Sequence, residues 1–376
     1  MDSRRRRGTG FIAAVIMLLL TTGCQRAKTE SAQEHVSTID DQLQEHVDTT
    51  LRSMLTTVNA ESGQVIVMEV NTGEIKAMVN LNRIKDDSYE QTCDFAERHE
   101  TGLLRLPVML ATLETGRIKM TDTVDTAGGI VIVDGNEIRD PNWHRGGYGS
   151  MTYRQGVVYA SNIAMCRALE RAYVVNSKKF FVKMEEMGVG LPDSIEGIVG
   201  LQPNEYTSPN DSDWQNSQMF VHAIGYERQI APIQVLTFYN AVANGGKMVK
   251  PMLYKGPTVV LKEQVASKEN VKEALATMKF AVDSGLSHKA QPEIPLKVAG
   301  LTGTAQLYFS EDPTKTLYGL NFCGYFPAEE PRYSIIVCIY KRGLPASGGG
   351  MCGPIYNSIV KYIYQRHPDE FTKSVH

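Results

Sequence analysis

Leucines at positions 103, 106, 110 and 113 recur at helical spacing, so the segment 103–114 carries one continuously apolar face and is predicted to be a helix. Gly102 precedes it, Pro107 falls in its first turn where a missing N–H costs little, and Gly116 follows its end. A second stripe runs through Ile39, Leu43, Val47, Leu51 and Leu55, behind a capping-box-like start at Thr38 and Asp41. Two β-rich runs, 64–70 and 74–79, are joined by Asn71-Thr72-Gly73, a hairpin signal. Helical patterns follow through 157–165, 173–188, 233–243 and 269–283, and the Pro/Asn/Ser/Asp-rich run 202–216 reads as a long surface loop. The last third predicts strands over 301–308, 319–326 and 333–340, then a helix from Pro354 to Arg366.

This order predicts an α+β fold: an antiparallel sheet built from both chain ends, flanked by helices, with an all-helical lobe inserted between the second and third strands. No internal repeat or low-complexity tract interrupts it.

With 376 residues, 42% hydrophobic and 22% charged, the chain is long enough for one large domain or two modest ones. The formal charge of -3 includes four arginines and one aspartate in the first 23 residues, so the body is more acidic than the total. Nothing in that balance points to nucleic acid. Residues 1–23 combine Arg4 to Arg7 with an apolar run over 11–20, too short to span a bilayer, and read as an export signal. Cys24 follows Gly23 in a pattern that resembles a bacterial lipobox, although Thr21 stands where leucine is usual. Cys24 is therefore the expected lipidation site, residues 24–37 a polar tether, and the location the cell envelope, as a membrane-anchored lipoprotein facing the periplasm. Of the other five cysteines, Cys323 and Cys338 flank a turn at 328–331 almost symmetrically. A cross-strand bridge between them is geometrically open, and buried free thiols are the favoured reading for most of the five. No spacing suggests a metal site, and no cofactor is implied.

Several ordered segments carry a resemblance. They are TIDDQLQ at 38–44, NTGEIKAM at 71–78, Gly225-Tyr226 with Pro232-Ile233-Gln234, YNAVANGGK at 239–247, VKP at 249–251, TGTA at 302–305 and GYFP at 324–327. Together they identify residues 38–368, ahead of a tail at 369–376, as similar to the transpeptidase domain of class B, cell-division-type penicillin-binding proteins. The resemblance implies the penicillin-binding-protein/β-lactamase-like fold and acyl transfer by three motifs: a serine and a lysine one turn apart, a Ser-x-Asn triplet and a Lys-Thr-Gly strand.

Aligned on Glu100, Gly102 and Pro107, the serine position holds Leu103 and the lysine position Leu106. The triplet is Ala160-Ser161-Asn162, and the strand is Leu301-Thr302-Gly303. Four reactive groups are replaced by apolar ones, so no catalytic residue is expected and the chain reads as a pseudoenzyme with a binding or scaffold role in peptidoglycan synthesis or cell division. Its partners are then a peptidoglycan stem peptide or envelope and divisome proteins, with the membrane reached through the lipid anchor. The extra N-terminal domain usual in the family is not expected before Thr38. Ser161, Asn162, Thr302, Gly303 and Thr304 remain as residual ligand-binding groups, and the leucines are expected to turn the old cleft floor into an apolar patch or a filled groove. The alternative is an active D,D-transpeptidase using a non-standard nucleophile such as Ser161. A third reading is a non-covalent muropeptide sensor dependent on Asn162 and Thr302. The literal Ser-x-x-Lys at Ser358 lies in the C-terminal helix, expected to pack away from the cleft, and His144 reads as an exposed loop residue.

Overall fold

Because successive side chains of a strand point to opposite faces, a strand buried along its whole length must be covered on both sides. β1 (Ser62–Glu69) is such a strand, buried from Gly63 to Met68. In the computed structural model, which describes residues 35–371 apart from 134, 174–175, 204, 207–211, 213 and 216, it pairs with β2 (Ile75–Lys85) in the expected hairpin. Gly73 turns the hairpin at φ +81°, where a Cβ would also meet the Lys250 carbonyl oxygen at 2.4 Å. β3 (Ser88–Gln91) follows, and the C-terminal third supplies β4 (Ala299–Tyr308), β5 (Leu317–Phe326) and β6 (Tyr333–Arg342). The strand order is β4-β5-β6-β1-β2-β3, antiparallel throughout, with Val65 opposite Val337 where the two chain ends join.

One sheet face is covered by α1 (Asp41–Val58) and by α9, named here with the helices before it. They are α2 (Arg105–Leu113), α3 (Tyr153–Val158), α4 (Asn162–Tyr173), α5 (Lys178–Glu186), α6 (Gln218–Ala223), α7 (Pro232–Ala243), α8 (Lys268–Ser284) and α9 (Gly348–Arg366). Leu43, Val47, Leu51 and Leu55 of α1 join Val65, Val67, Val337, Ile355 and Ile359 in one apolar cluster. The opposite face, with Ile66, Met68 and Ile336, belongs to a second cluster that runs through α2 and the helical lobe. All nine residues of α2 are buried, which a single apolar stripe does not require: this helix is enclosed on every side.

Several sequence expectations shift. α1 is capped not by Thr38 but by Asp40, whose Oδ1 accepts from the Leu43 amide at 3.0 Å and whose carboxylate also pairs with Arg366 at 2.9 Å. The Thr38 hydroxyl is buried and faces the Ile75 and Met252 carbonyls instead. Folded contacts begin before the expected boundary at Thr38, since the Lys255 amide donates to the Val36 carbonyl and Ser37 bridges to Tyr254. The helix expected over 157–165 is two helices, α3 and α4, broken where Ala160 takes φ +58°. Among the described residues of the pattern 173–188, α5 and the end of α4 are helical. α9 starts six residues before Pro354, because Ser347 caps it by accepting from the Gly350 amide at 3.0 Å. The expected boundary between domain and tail, at 368/369, falls inside α10 (Pro368–Phe371), whose Phe371 is buried against Phe326 and Tyr364. Cys323 stands opposite Ile336 and Cys338 opposite Asn321, a diagonal placement, and both are free thiols, as are buried Cys166 and Cys352. The loop 202–216 is described only in part, and the expected signal segment 1–23 and lipidation site Cys24 lie outside the described residues.

The Asp40 carboxyl gives a test of this frame. Burial raises its pKa, but the Leu43 amide and Arg366 outweigh that and hold it below the ordinary carboxylate value. The stabilisation is therefore present above the unfolded-state pKa of about 4 and is lost as pH falls through the lower folded value. Asp40→Ala is expected to cost about 1 kcal/mol at pH 7 in urea unfolding, with the difference from wild type shrinking under acid conditions.

Candidate functional site

The free edge of β4, the turn before α2, the chain over 137–143, the break between α3 and α4, and the start of α9 meet around a cleft of about 840 Å³. Gly102 and Gly303 hold two of these elements together. A Cβ on Gly303 would stand 3.1 Å from the Leu103 amide nitrogen, and one on Gly102 would stand 3.3 Å from the Thr304 nitrogen. The start of α9 is drawn in through the Gly348 amide, which donates to Thr304 Oγ1 at 3.2 Å.

The positions singled out from sequence divide into two sets. Leu103, Leu106 and Leu301 are 1%, 0% and 1% exposed, belong to the same apolar cluster, and do not line the cleft. Ala160, Asn162, Thr302, Gly303 and Thr304 do line it. The cleft wall is thus mixed, an open cleft of polar and apolar groups rather than the apolar patch or filled groove expected, because the leucines turn into the core behind it.

Asn162 Nδ2 donates to the Arg139 carbonyl at 2.8 Å, and Thr302 Oγ1 donates to the Asn321 carbonyl at 3.2 Å. Ser161 is fully buried and absent from the lining. Its hydroxyl lies 2.9 Å from both Asp140 carboxylate oxygens and accepts from the Ala164 amide at 3.0 Å, while Asp140 also accepts from the Ile163 amide at 3.0 Å. These bonds cap α4 from two sides, so Ser161 is occupied in holding the helix start. Burial pushes the Asp140 carboxyl up, partly offset by those donors.

The Leu103 amide donates to Thr101 Oγ1 at 3.2 Å, within a buried turn. Tyr239 from α7 donates its hydroxyl to the Leu103 carbonyl at 2.8 Å. Ser358 sits in α9 with its hydroxyl 3.2 Å from His46 of α1, outside the cleft lining, and His144 is exposed beside Trp143.

Sequence reasoning passed over two charged residues. Arg105, the first residue of α2, is 4% exposed, lines the cleft and donates through Nη2 to the Thr302 carbonyl. Asp140 is the other. The available signals were a lone arginine in the run Leu103-Leu104-Arg105-Leu106, and an aspartate just before Pro141. At the rim, Arg139 pairs with Glu137 and stacks over the Trp143 ring at 4.7 Å.

Residues 63–361 match the family model of the penicillin binding protein transpeptidase domain. The chain belongs to this family. Penicillin-binding protein PbpB of Mycolicibacterium smegmatis is 25% identical over 88% of the chain and 54% of its own length. Peptidoglycan D,D-transpeptidase FtsI of Escherichia coli is 23% identical over 92% of the chain and 58% of its own. The chain thus spans a little over half the length of these transpeptidase relatives. The apo transpeptidase domain of Burkholderia pseudomallei penicillin-binding protein 3 superposes with a TM-score of 0.74 at 21% identity, covering 90% of the chain and 98% of that domain. The expected α+β penicillin-binding-protein fold is therefore the fold observed. Among the described residues, no helix is long and apolar enough to cross a membrane, and no cluster of three metal-ligating side chains occurs.

Proposed function

We propose that this member of the penicillin-binding transpeptidase family is a non-catalytic homologue, anchored at the cell envelope through Cys24 after removal of residues 1–23, that binds rather than acylates. In this reading a polar tether leads from Cys24 to the transpeptidase-like domain, which acts as a binding or scaffold subunit in peptidoglycan synthesis or division. Its ligand is a peptidoglycan stem peptide or its partner an envelope protein.

The observation that carries this is that the positions aligned with the family's nucleophile and base hold apolar side chains. Leu103 and Leu106 are buried behind the cleft wall, Ala160 stands on it, and Leu301 removes the remaining lysine position. An acyl-transfer site also needs donors aimed at a developing oxyanion, and the Leu103 amide is spent on Thr101. Removing nucleophile and base together leaves only the weak residual catalysis of binding and polarisation. No observation favours Ser161 as a substitute nucleophile, since its hydroxyl is enclosed and bonded to Asp140.

A fluorescent penicillin applied to the full chain tests this. No stable covalent adduct is expected under conditions that label a catalytic member of the family. Stable labelling that disappears in Ser161→Ala would overturn the proposal and install the alternative of an active enzyme.

A further inference from the structure

We propose that Arg105 is the anion receptor of the cleft and holds a small oxyanion, a carboxylate or a phosphate, non-covalently beside Thr302 and the start of α9. The inference builds on the reading of the cleft as a binding site without acyl transfer, and adds to it the residue and the ligand charge.

The first support is an uncompensated charge. The Arg105 guanidinium is almost wholly buried, makes no ion pair among the described residues, and has an Nε–H with no acceptor among them. Of its five N–H donors, the Thr302 carbonyl takes one at Nη2. The ionisable groups that face it are the phenols of Tyr148 and Tyr239, neutral at physiological pH, and burial lowers its pKa without discharging so strong a base. A buried cation with no partner is costly, and a ligand anion would offset that cost.

The second support is placement. Arg105 lines the cleft and donates to the backbone of Thr302, while Gly348, at the N-terminus of the 19-residue helix α9, lies against the Thr302 side chain. A Cβ on Gly348 would stand 2.3 Å from Thr302 Oγ1, so only glycine allows this approach. Helix N-termini favour anions for the same electrostatic reason as the guanidinium does. Of the lining carboxylates, Glu137 is paired with Arg139, while Asp140 accepts from the Ser161 hydroxyl and the Ile163 amide, neutral donors that leave its charge to be set against those of Arg105 and Lys289. Lys289 on the same wall makes no ion pair among the described residues, which leaves the cleft with excess positive charge.

Isothermal titration calorimetry of the full chain at low salt tests the assignment with N-acetyl-D-alanyl-D-alanine, its C-terminal amide, and inorganic phosphate. Saturable binding of the acid is expected, at least about tenfold tighter than the amide. Arg105→Met should lose at least about tenfold in affinity for the acid, and Arg105→Lys should retain part of it. Phosphate binding that Arg105→Met abolishes, with the peptide acid silent, identifies phosphate as the anion and sustains the receptor. Equal binding of acid and amide, no binding of either anion, or undiminished anion binding by Arg105→Met overturns the proposal. Should Arg105→Met not fold, the acid–amide comparison on the wild-type chain and Arg105→Lys decide. Covalent penicillin labelling of the same preparation would overturn the non-catalytic reading while leaving the acid–amide comparison to judge Arg105.

Discussion

Leu106→Lys is expected to lower the unfolding free energy at pH 7 by about 4–5 kcal/mol, enough to unfold a domain of marginal stability. Leu106 is fully buried in the cluster that also holds Leu103 and Leu301, and the cleft does not reach it. A lysine there must either carry its charge into an apolar interior or fold in the neutral form, and a depression of about 3–5 pKa units makes it neutral, or nearly so, at pH 7. Giving up the proton across the roughly 3.4 units from its ordinary pKa of about 10.4, at about 1.4 kcal/mol each, sets that range. Under the proposed alignment the same substitution restores the lysine of the family's motif, so stability and chemistry pull in opposite directions. Combining it with Leu103→Ser, Ala160→Ser and Leu301→Lys is expected to cost less than the four single effects added together. Polar groups placed in one pocket can pair with one another, whereas each alone is buried without a partner. Urea unfolding of the single and combined variants measures this. A Leu106→Lys protein within about 1 kcal/mol of wild type would mean that position 106 reaches solvent after all.

Asp140→Ala is expected to cost about 2–4 kcal/mol and to loosen the cleft wall at Asn162. The carboxylate accepts from the Ser161 hydroxyl and the Ile163 amide, and its loss leaves both buried donors without it at the start of α4. Asp140→Asn keeps an acceptor and should cost about 1 kcal/mol or less. The two variants also separate the charge from the hydrogen bonds. Burial raises the Asp140 pKa in the folded state, so ionisation works against folding: stability falls as pH rises from the unfolded value of about 4 through the folded one, then levels off. Asp140→Asn should remove that slope. Thermal unfolding of the wild type and both variants between about pH 3 and 7 reads out both effects, and an Asp140→Ala melt equal to wild type would show that α4 does not depend on this cap.

Most of the sheet was legible because strand and turn signals are local: Asn71-Thr72-Gly73 marked the hairpin, and the three C-terminal strands began and ended within a few residues of expectation. α1 and α7 were legible from their apolar spacing. Errors fell where a side chain answers to a distant partner. Thr38 looked like a cap, but carbonyls of Ile75 and Met252 claim its hydroxyl, and the cap passes to Asp40 under the pull of Arg366. The break at Ala160 lies inside a helical pattern and is held open by Asp140, about twenty residues away in the chain.

For the cleft, the sequence by itself determined which reactive groups are present, since Leu103, Leu106, Ala160 and Leu301 can neither attack a carbonyl nor move a proton wherever they lie. It also determined the family, through segments spread over nearly the whole chain. Only the tertiary structure decided which side of the wall each residue occupies. That assignment sends the leucines into the core, Ser161 into a helix cap, and Arg105, the charged residue in an apolar helix, to the cleft. The physical reason is that burial and hydrogen bonding are set by neighbours from β4, α7 and α9, which lie more than a hundred residues from α2 along the chain.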